Sequence, residues 1–417
     1  LCSFAVDIAK LEDIITPELK QAGDLLVAFH LKRDPYDLPD YDFALDLYKK
    51  IGKLARLHIV KAAYVVEHGG IAEAASKMAF GNKLGLQLYM NYPNEFWFEP
   101  RYGTIIAEVS EADLSNLAAE KLSYEKLAII LKTPEIQHGS DKISIEEMLT
   151  AWTSTLEKVF PTKSDVEKEE IETKLYDAKT VYTARNKIAR PKVFIPVFPG
   201  TNCEYDTMIS FEAAGAEVET IVFRNMSETD IRDSVDAYAK AIKNSQMIMF
   251  PGGFSAGDEP EGSAKFIASV FRNPKIKEAT NDLLKQKDGL ILGICNGFQA
   301  LIKLGLVPYG EITDIKEDTP TLTTNSIGRH ISKTVYTKIV SNKSPWLAKA
   351  GLGNVYSIPA SHGEGRFVAS KEWLDKLFAQ GQVATQYVDT EGNPTMDEDF
   401  NPNGSYRAIE GILSPDG

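Results

Sequence analysis

The chain has 417 residues, 43% of them hydrophobic and 25% charged, with a formal net charge of −13. That length sets an expectation of two to four domains of ordinary globular composition. The acidic balance excludes a broad nucleic-acid footprint and argues against an anionic membrane as partner.

Three widely spaced cysteines, Cys2, Cys203 and Cys295, form no C-x-x-C pair, so neither a disulfide framework nor a metal site is expected. A reducing, cytoplasmic setting fits this usage. No run of about 18 apolar residues marks a membrane span, and no secretory signal opens the chain. The chain begins at Leu1 in a strand-like run over 1–8 and stops on the turn Ser414-Pro415-Asp416-Gly417. The expectation is a fragment of a longer polypeptide.

Residues 1–135 alternate strands and helices. Residues 24–29 read as a buried strand, and Phe43, Leu45, Leu47, Ile51 and Leu54 give an imperfect helical stripe through 41–56. Strands are expected at 84–90, 104–109 and 127–131, with a helix over 111–121. His68-Gly69-Gly70 precedes a helix over 71–80. Such a turn can hold a phosphate on open N–H groups, but a plain turn is the commoner meaning of the dipeptide. His30, His58 and His138 stand alone and read as structural or exposed. Phe96-Trp97-Phe98 reads as core or domain-interface packing. An amphipathic helix is expected over 143–160, followed by a solvated helix or linker over 164–187 containing Glu167-Lys168-Glu169-Glu170.

From Lys192 strands and helices alternate at short spacing. Strands at 193–198, 217–223, 246–250 and 290–292 with intervening helices predict a parallel, doubly wound α/β sheet. Ser227 is placed to cap a helix over 228–243, and Gly215 to stop the helix before it. After Pro308 the pattern becomes more β-like, with strands at 334–340, 354–358, 383–388 and 406–413.

Two strand ends carry chemistry. Gly293-Ile294-Cys295-Asn296-Gly297 joins a strand to a helix in the nucleophile-elbow pattern, with sulfur in place of oxygen. The helix start favours the thiolate. Taken alone, the motif is read equally well as a buried, inert cysteine in a tight turn. Pro251-Gly252-Gly253-Phe254-Ser255, about 40 residues earlier, ends another strand with the bare N–H groups an oxyanion hole requires. Loops of this kind on adjacent parallel strands meet at one sheet edge, where Thr201 joins Gly253 and Cys295. In Pro359-Ala360-Ser361-His362-Gly363-Glu364-Gly365-Arg366, His362 and Glu364 have the spacing of an imidazole oriented by a carboxylate. The alternative is a glycine-rich loop whose charged groups serve binding or folding.

With these stretches and Pro199-Gly200-Thr201-Asn202-Cys203-Glu204, the chain from about 190 to 417 resembles the phosphoribosylformylglycinamidine synthase family. That family belongs to the class I, or triad, glutamine amidotransferases. Residues 1–139 resemble the family's second synthetase lobe, shared with aminoimidazole ribonucleotide synthetase, on Gly69-Gly70 and Met78-Ala79-Phe80. The family often has Asp where this chain has His68, so no ligand role is assigned there. The expected architecture is a synthetase-type α/β lobe (1–139), a charged helical connector (140–190) and a doubly wound, mostly parallel glutaminase domain (191–417).

The resemblance implies the C-terminal part of a large, single-chain ligase of purine biosynthesis. Glutamine is hydrolysed at the thiol, and the ammonia amidates formylglycinamide ribonucleotide using ATP and Mg²⁺, whose site lies mostly outside this chain. No cofactor is bound covalently. By resemblance Cys295 forms the glutamyl thioester. Gly252, Gly253, Phe254 and Asn296 supply the oxyanion and glutamine-binding loops, and Gln299 positions glutamine. Thr201, Asn202, His362, Glu364 and Arg366 line or support the site. The family's triad His and Glu sit in a later segment, expected beyond residue 417, so His362 and Glu364 are not assigned as that pair. The implied partners are glutamine, formylglycinamide ribonucleotide and the remainder of the polypeptide, with neither nucleic acid nor membrane. Two rivals are a triad amidotransferase with a different acceptor and a non-catalytic α/β module with a redox-sensing cysteine.

Overall fold

A computed structural model of the protein describes residues 4–164, 171–254 and 264–417. The chain divides between residues 159 and 160 into two units. Cys2, Ser255 and the run Glu167-Lys168-Glu169-Glu170 lie outside the described residues.

The first unit contains β1 (Leu25–Phe29), α1 (Tyr41–Arg56), β2 (Val60–Val65), α2 (Gly70–Phe80), β3 (Gly85–Leu88) and α3 (Asn94–Phe98). It continues with β4 (Ile105–Val109), α4 (Leu114–Ala119), β5 (Glu125–Leu131), β6 (Glu135–His138), β7 (Asp141–Ser144) and α5 (Ile145–Ser154). The strands form one sheet in the order β2-β4-β1-β5-β3-β6-β7, antiparallel throughout except for β3 beside β6. Successive strand residues face opposite sides, and β1 buries both. Leu26 and Ala28 join the core under α2, while Leu25, Val27 and Phe29 join the core under α1. Asp40 caps α1 by accepting from the Phe43 N–H at 3.0 Å.

The turn before α2 is a packing device. Gly70 has φ +71°, and a Cβ there would sit 2.6 Å from the Trp97 carbonyl oxygen. The Gly69 N–H donates to the Glu73 carboxylate at 2.8 Å, so the helix start already holds an anion of its own. Phe96 and Trp97 are buried, whereas Phe98 is 67% exposed. Glu108 accepts from the N–H groups of Lys20 and Gln21 at 2.6 and 2.8 Å. Burial outweighs those bonds and pushes its carboxyl up to about 7.

Several expectations need correction here. Residues 4–8 form no strand; Phe4 is 92% exposed, and its neighbours have no described strand to pair with. The β6–β7 hairpin and α5 belong to the first unit, so the expected boundary at 139/140 falls inside a hairpin. The helix expected over 143–160 is confined to Ile145–Ser154, with Ser144 as its cap. Beyond α5 the connector is not helical where it is described. Residues 171–190 instead run along the second unit, with Tyr176 bridging Ser341 and the Ala178 N–H donating to Asn342 Oδ1 at 2.7 Å. These bonds to the sheet replace the helical ladder that the charge pattern also allows.

The second unit opens with β8 (Lys192–Val197), α6 (Glu204–Ala213), β9 (Glu217–Val222), α7 (Glu228–Asn244) and β10 (Met247–Phe250). Then come α8 (Lys265–Phe271), α9 (Pro274–Gln286), β11 (Leu290–Gly293), α10 (Asn296–Leu304) and α11 (Leu306–Tyr309). The four strands form a sheet in the order β11-β10-β8-β9, parallel at every pairing. Helices cover both faces. Phe194 of β8 packs with α7, α9 and α10, while Val193 and Ile195 pack toward Met208 and Phe211 of α6. This is the doubly wound parallel arrangement expected from the alternation.

The rest is antiparallel: β12 (Thr321–Thr323), β13 (Ile331–Ile339), β14 (Val355–His362), β15 (Arg366–Val368), α12 (Lys371–Ala379), β16 (Val383–Val388) and β17 (Ile409–Ile412). The sheet order is β14-β13-β16-β17, with β12 and β15 paired separately. The stretch read as a glycine-rich loop is therefore mostly strand. Pro359 to His362 pair with β13, from Thr334↔Pro359 to Ile331↔His362, and only 363–365 turn.

Candidate active site

Parallel pairing of β10 with β11 sets Phe250 opposite Gly293, so the loops after the two strands lie side by side. The Ile294 N–H donates to the Phe250 carbonyl at 3.1 Å. Cys295 then reverses the chain with φ +55° and ψ −112° and becomes the N-cap residue of α10. Such a conformation is costly for a residue with a side chain and persists only where the surroundings impose it. Two glycines impose it. A Cβ on Gly293 would lie 2.6 Å from the Gly297 carbonyl oxygen, and one on Gly297 would lie 2.0 Å from the Phe250 carbonyl oxygen. The thiol itself is exposed, as a nucleophile requires and a core cysteine does not.

The loop after β10 packs against this elbow. A Cβ on Gly252 would be 3.4 Å from Cys203 Sγ and 3.4 Å from the Cys295 Cβ. Gly253 has φ +129°, and a Cβ there would press on Asn202 and the Gly200 carbonyl at 2.8–2.9 Å. Thr201 bridges Gly253, and the Phe254 N–H donates to the Gly200 carbonyl at 3.0 Å. The Thr201 hydroxyl also accepts from the Phe198 N–H at 3.1 Å. The Phe254 ring is 59% exposed. Thr201, Asn202, Gly252, Gly253 and Cys295 thus come together at the carboxyl ends of β8, β10 and β11. Cys203 is the second thiol here; burial, then Asp206 and Glu204, push its pKa up.

The opposite wall is residues 361–365. Cys295 Sγ lies 3.9 Å from the Ser361 carbonyl oxygen. Gln299 is only 7% exposed. Its Nε2 donates to the Glu364 carbonyl at 2.7 Å, and its Oε1 accepts from Asn296 Nδ2 at 3.0 Å. The side chain expected to meet glutamine is thus bonded to protein and ties the elbow helix to the wall. Each such buried bond contributes about 1 kcal/mol net. His362 does not face Glu364: its Nδ1 lies 3.2 Å from Asn325 Oδ1. Burial lowers its pKa; its own backbone contact raises it less, and His330 lowers it further. Arg366 donates from Nε to the Gly404 carbonyl at 3.2 Å and stacks on Tyr406, so it braces the wall from behind.

Asn325, His330 and Asn403 were not singled out from the sequence. The turn-like run Thr324-Asn325-Ser326-Ile327-Gly328 is the available signal for the first. Among the described residues no three His, Cys, Asp or Glu side chains cluster as metal ligands. Nor is any described helix long and apolar enough to cross a membrane.

Residues 190–417 match the model of the CobB/CobQ-like glutamine amidotransferase domain. One similar protein is the phosphoribosylformylglycinamidine synthase subunit PurQ of Methanococcus maripaludis. It is 37% identical over 228 residues, spanning 54% of this chain and 78% of that protein. Another is a probable phosphoribosylformylglycinamidine synthase, chloroplastic/mitochondrial, of Arabidopsis thaliana. It is 27% identical over 452 residues, which span 97% of this chain but 31% of the plant protein. Among solved structures, PurLQS from Thermotoga maritima aligns with 28% identity over 54% of this chain and 82% of that chain. Its TM-score is 0.38, too low to bear on the argument. Through its second unit, which carries the cysteine elbow, this chain belongs to the CobB/CobQ-like glutamine amidotransferase family.

Proposed function

We propose that this chain is the glutaminase-bearing part of a phosphoribosylformylglycinamidine synthase, a C–N-forming ligase of purine biosynthesis with glutamine as amido donor. The observation that carries the proposal is the exposed Cys295 on a strained elbow, beside the Gly252–Gly253 loop of the neighbouring parallel strand. The names of the archaeal and plant relatives support the acceptor.

The Cys295 thiolate attacks the side-chain carbonyl carbon of glutamine, and the carbonyl π pair moves onto oxygen. The Gly253 N–H and the Asn296 N–H at the start of α10 hold that oxyanion. The C–N bond breaks as the nitrogen gains a proton and leaves as ammonia, and a thioester remains. Water then attacks the thioester, releasing glutamate and the thiol. The ammonia displaces the activated amide oxygen of formylglycinamide ribonucleotide in the synthetase region, with the remainder of the protein as partner. We place this chemistry in a reducing, cytoplasmic setting, in keeping with two cysteines at the site that form no disulfide.

ATP and Mg²⁺ would serve the acceptor half of the reaction. The Gly69-Gly70 turn does not fit them. The one helix start that resembles a phosphate cradle, at Gly69-Gly70, is filled by the Glu73 carboxylate, which would repel phosphate. No step on this chain is therefore routed through ATP.

The test is isotopic. The full-length protein, given glutamine labelled with ¹⁵N in its amide, should place one ¹⁵N in formylglycinamidine ribonucleotide per ATP consumed. Glutamate formation with label entering a different acceptor would overturn the acceptor assignment.

A further inference from the structure

The wall facing Cys295 is built by a residue distant in sequence. Asn325 is 2% exposed. Its Nδ2 donates to the Arg329 carbonyl at 3.0 Å and to the His362 carbonyl at 2.8 Å. Its Oδ1 accepts from the Gly365 N–H at 3.1 Å and lies 3.2 Å from His362 Nδ1. Its backbone N–H donates to the Gly363 carbonyl at 2.9 Å. Asn403, also buried, adds a bond from Nδ2 to the Gly365 carbonyl at 2.8 Å.

Backbone groups fix which way the Asn325 amide points. A peptide N–H only donates and a carbonyl only accepts, so the atom facing Gly365 N is oxygen and the atom facing the two carbonyls is nitrogen. Oxygen so oriented needs a proton from His362 Nδ1. The imidazole is therefore the Nδ1–H tautomer, and Nε2 carries the lone pair. The ring lies flat on Gly365, where a Cβ would come within 2.4–2.6 Å of three ring atoms. Tautomer and orientation are thus both set. The same turn meets the elbow at Ser361 O and, through Gln299, at Glu364 O.

We propose that Asn325 is a positioning residue for glutamine hydrolysis, holding residues 361–365 and the Nδ1–H form of His362 against the Cys295 elbow without touching a reacting atom. This rests on Cys295 being the glutaminase nucleophile. Asn325→Asp keeps the acceptor for Gly365 and His362 but turns a carboxylate oxygen onto two carbonyls, and so displaces the wall. A displacement of about 1 Å costs on the order of 10²-fold in rate.

The experiment is on the full-length protein, with Asn325→Asp and Asn325→Ser compared to wild type. The expected result is a loss of glutamine-dependent kcat/KM of about 10- to 100-fold. Ammonia-dependent synthesis should stay unchanged, which a merely destabilised fold would not allow. Nitrogen NMR of wild type should show His362 protonated at Nδ1. Wild-type glutamine kinetics in a folded Asn325→Asp protein would overturn the proposal, as would an Nε2–H signal from wild-type His362. If both variants fail to fold, the wild-type tautomer still decides. Absence of glutamine hydrolysis in wild type would sink the glutaminase reading instead, and the tautomer measurement would stand apart from it.

Discussion

Cys295→Ala in the full-length protein should abolish glutamine-dependent amidation and leave ammonia-dependent amidation largely intact. In the proposed mechanism the glutamine reaction passes through a covalent bond to this sulfur, so its removal leaves nothing to split the amide. A loss on the order of 10⁴-fold or more is expected when a covalent nucleophile is removed and only binding and oxyanion stabilisation persist. Free ammonia bypasses that step. Parallel steady-state assays with glutamine and with an ammonium salt make the comparison. The substitution removes one exposed sulfur and fills no space, so the fold should be undisturbed. Equal loss with both nitrogen donors would mean that Cys295 serves the synthetase reaction or the fold instead.

Gly297→Ala should be nearly as damaging, by a different route. Its new Cβ would start 2.0 Å from the Phe250 carbonyl oxygen, which is backbone and cannot swing away. Either α10 or the end of β10 must move by about 1 Å or more to restore contact distance, and overpacking of this kind costs about 1–3 kcal/mol. Because Cys295 is the cap of the same helix, the movement also carries the sulfur away from the proposed oxyanion donors. A fall of about 10²-fold in glutamine kcat/KM follows, with a lower Tm in a thermal melt. Wild-type kinetics and Tm in the Gly297→Ala protein would show that the elbow is looser than its geometry states.

Much of this site could be read from the chain before any coordinates. Apolar runs leading into glycine turns gave β10 and β11, and their short spacing implied the parallel neighbours that place Gly252 beside Cys295. The β6–β7 hairpin escaped because Glu135–His138 and Asp141–Ser144 are mostly polar and bury little, so no alternation marks them. Asn325 escaped for a different reason. Its partners in the wall, His362 and Gly365, lie 37 and 40 residues away, and only the fold of β14 onto β13 brings them to it. Gln299 is expected at the site, but a sequence cannot show that its amide is already bonded to Glu364 and Asn296. His362 and Glu364 have a suggestive spacing, yet strand pairing up to His362 turns the imidazole to Asn325.

The central claim is that Cys295 is the nucleophile of a glutamine site. The most direct test is intact-mass labelling with an electrophilic glutamine analogue, followed by peptide mapping, on the full-length protein. The account predicts a single adduct on Cys295 that excess glutamine prevents. Labelling at Cys203 with Cys295 untouched, or labelling of Cys295 that glutamine does not slow, would contradict it.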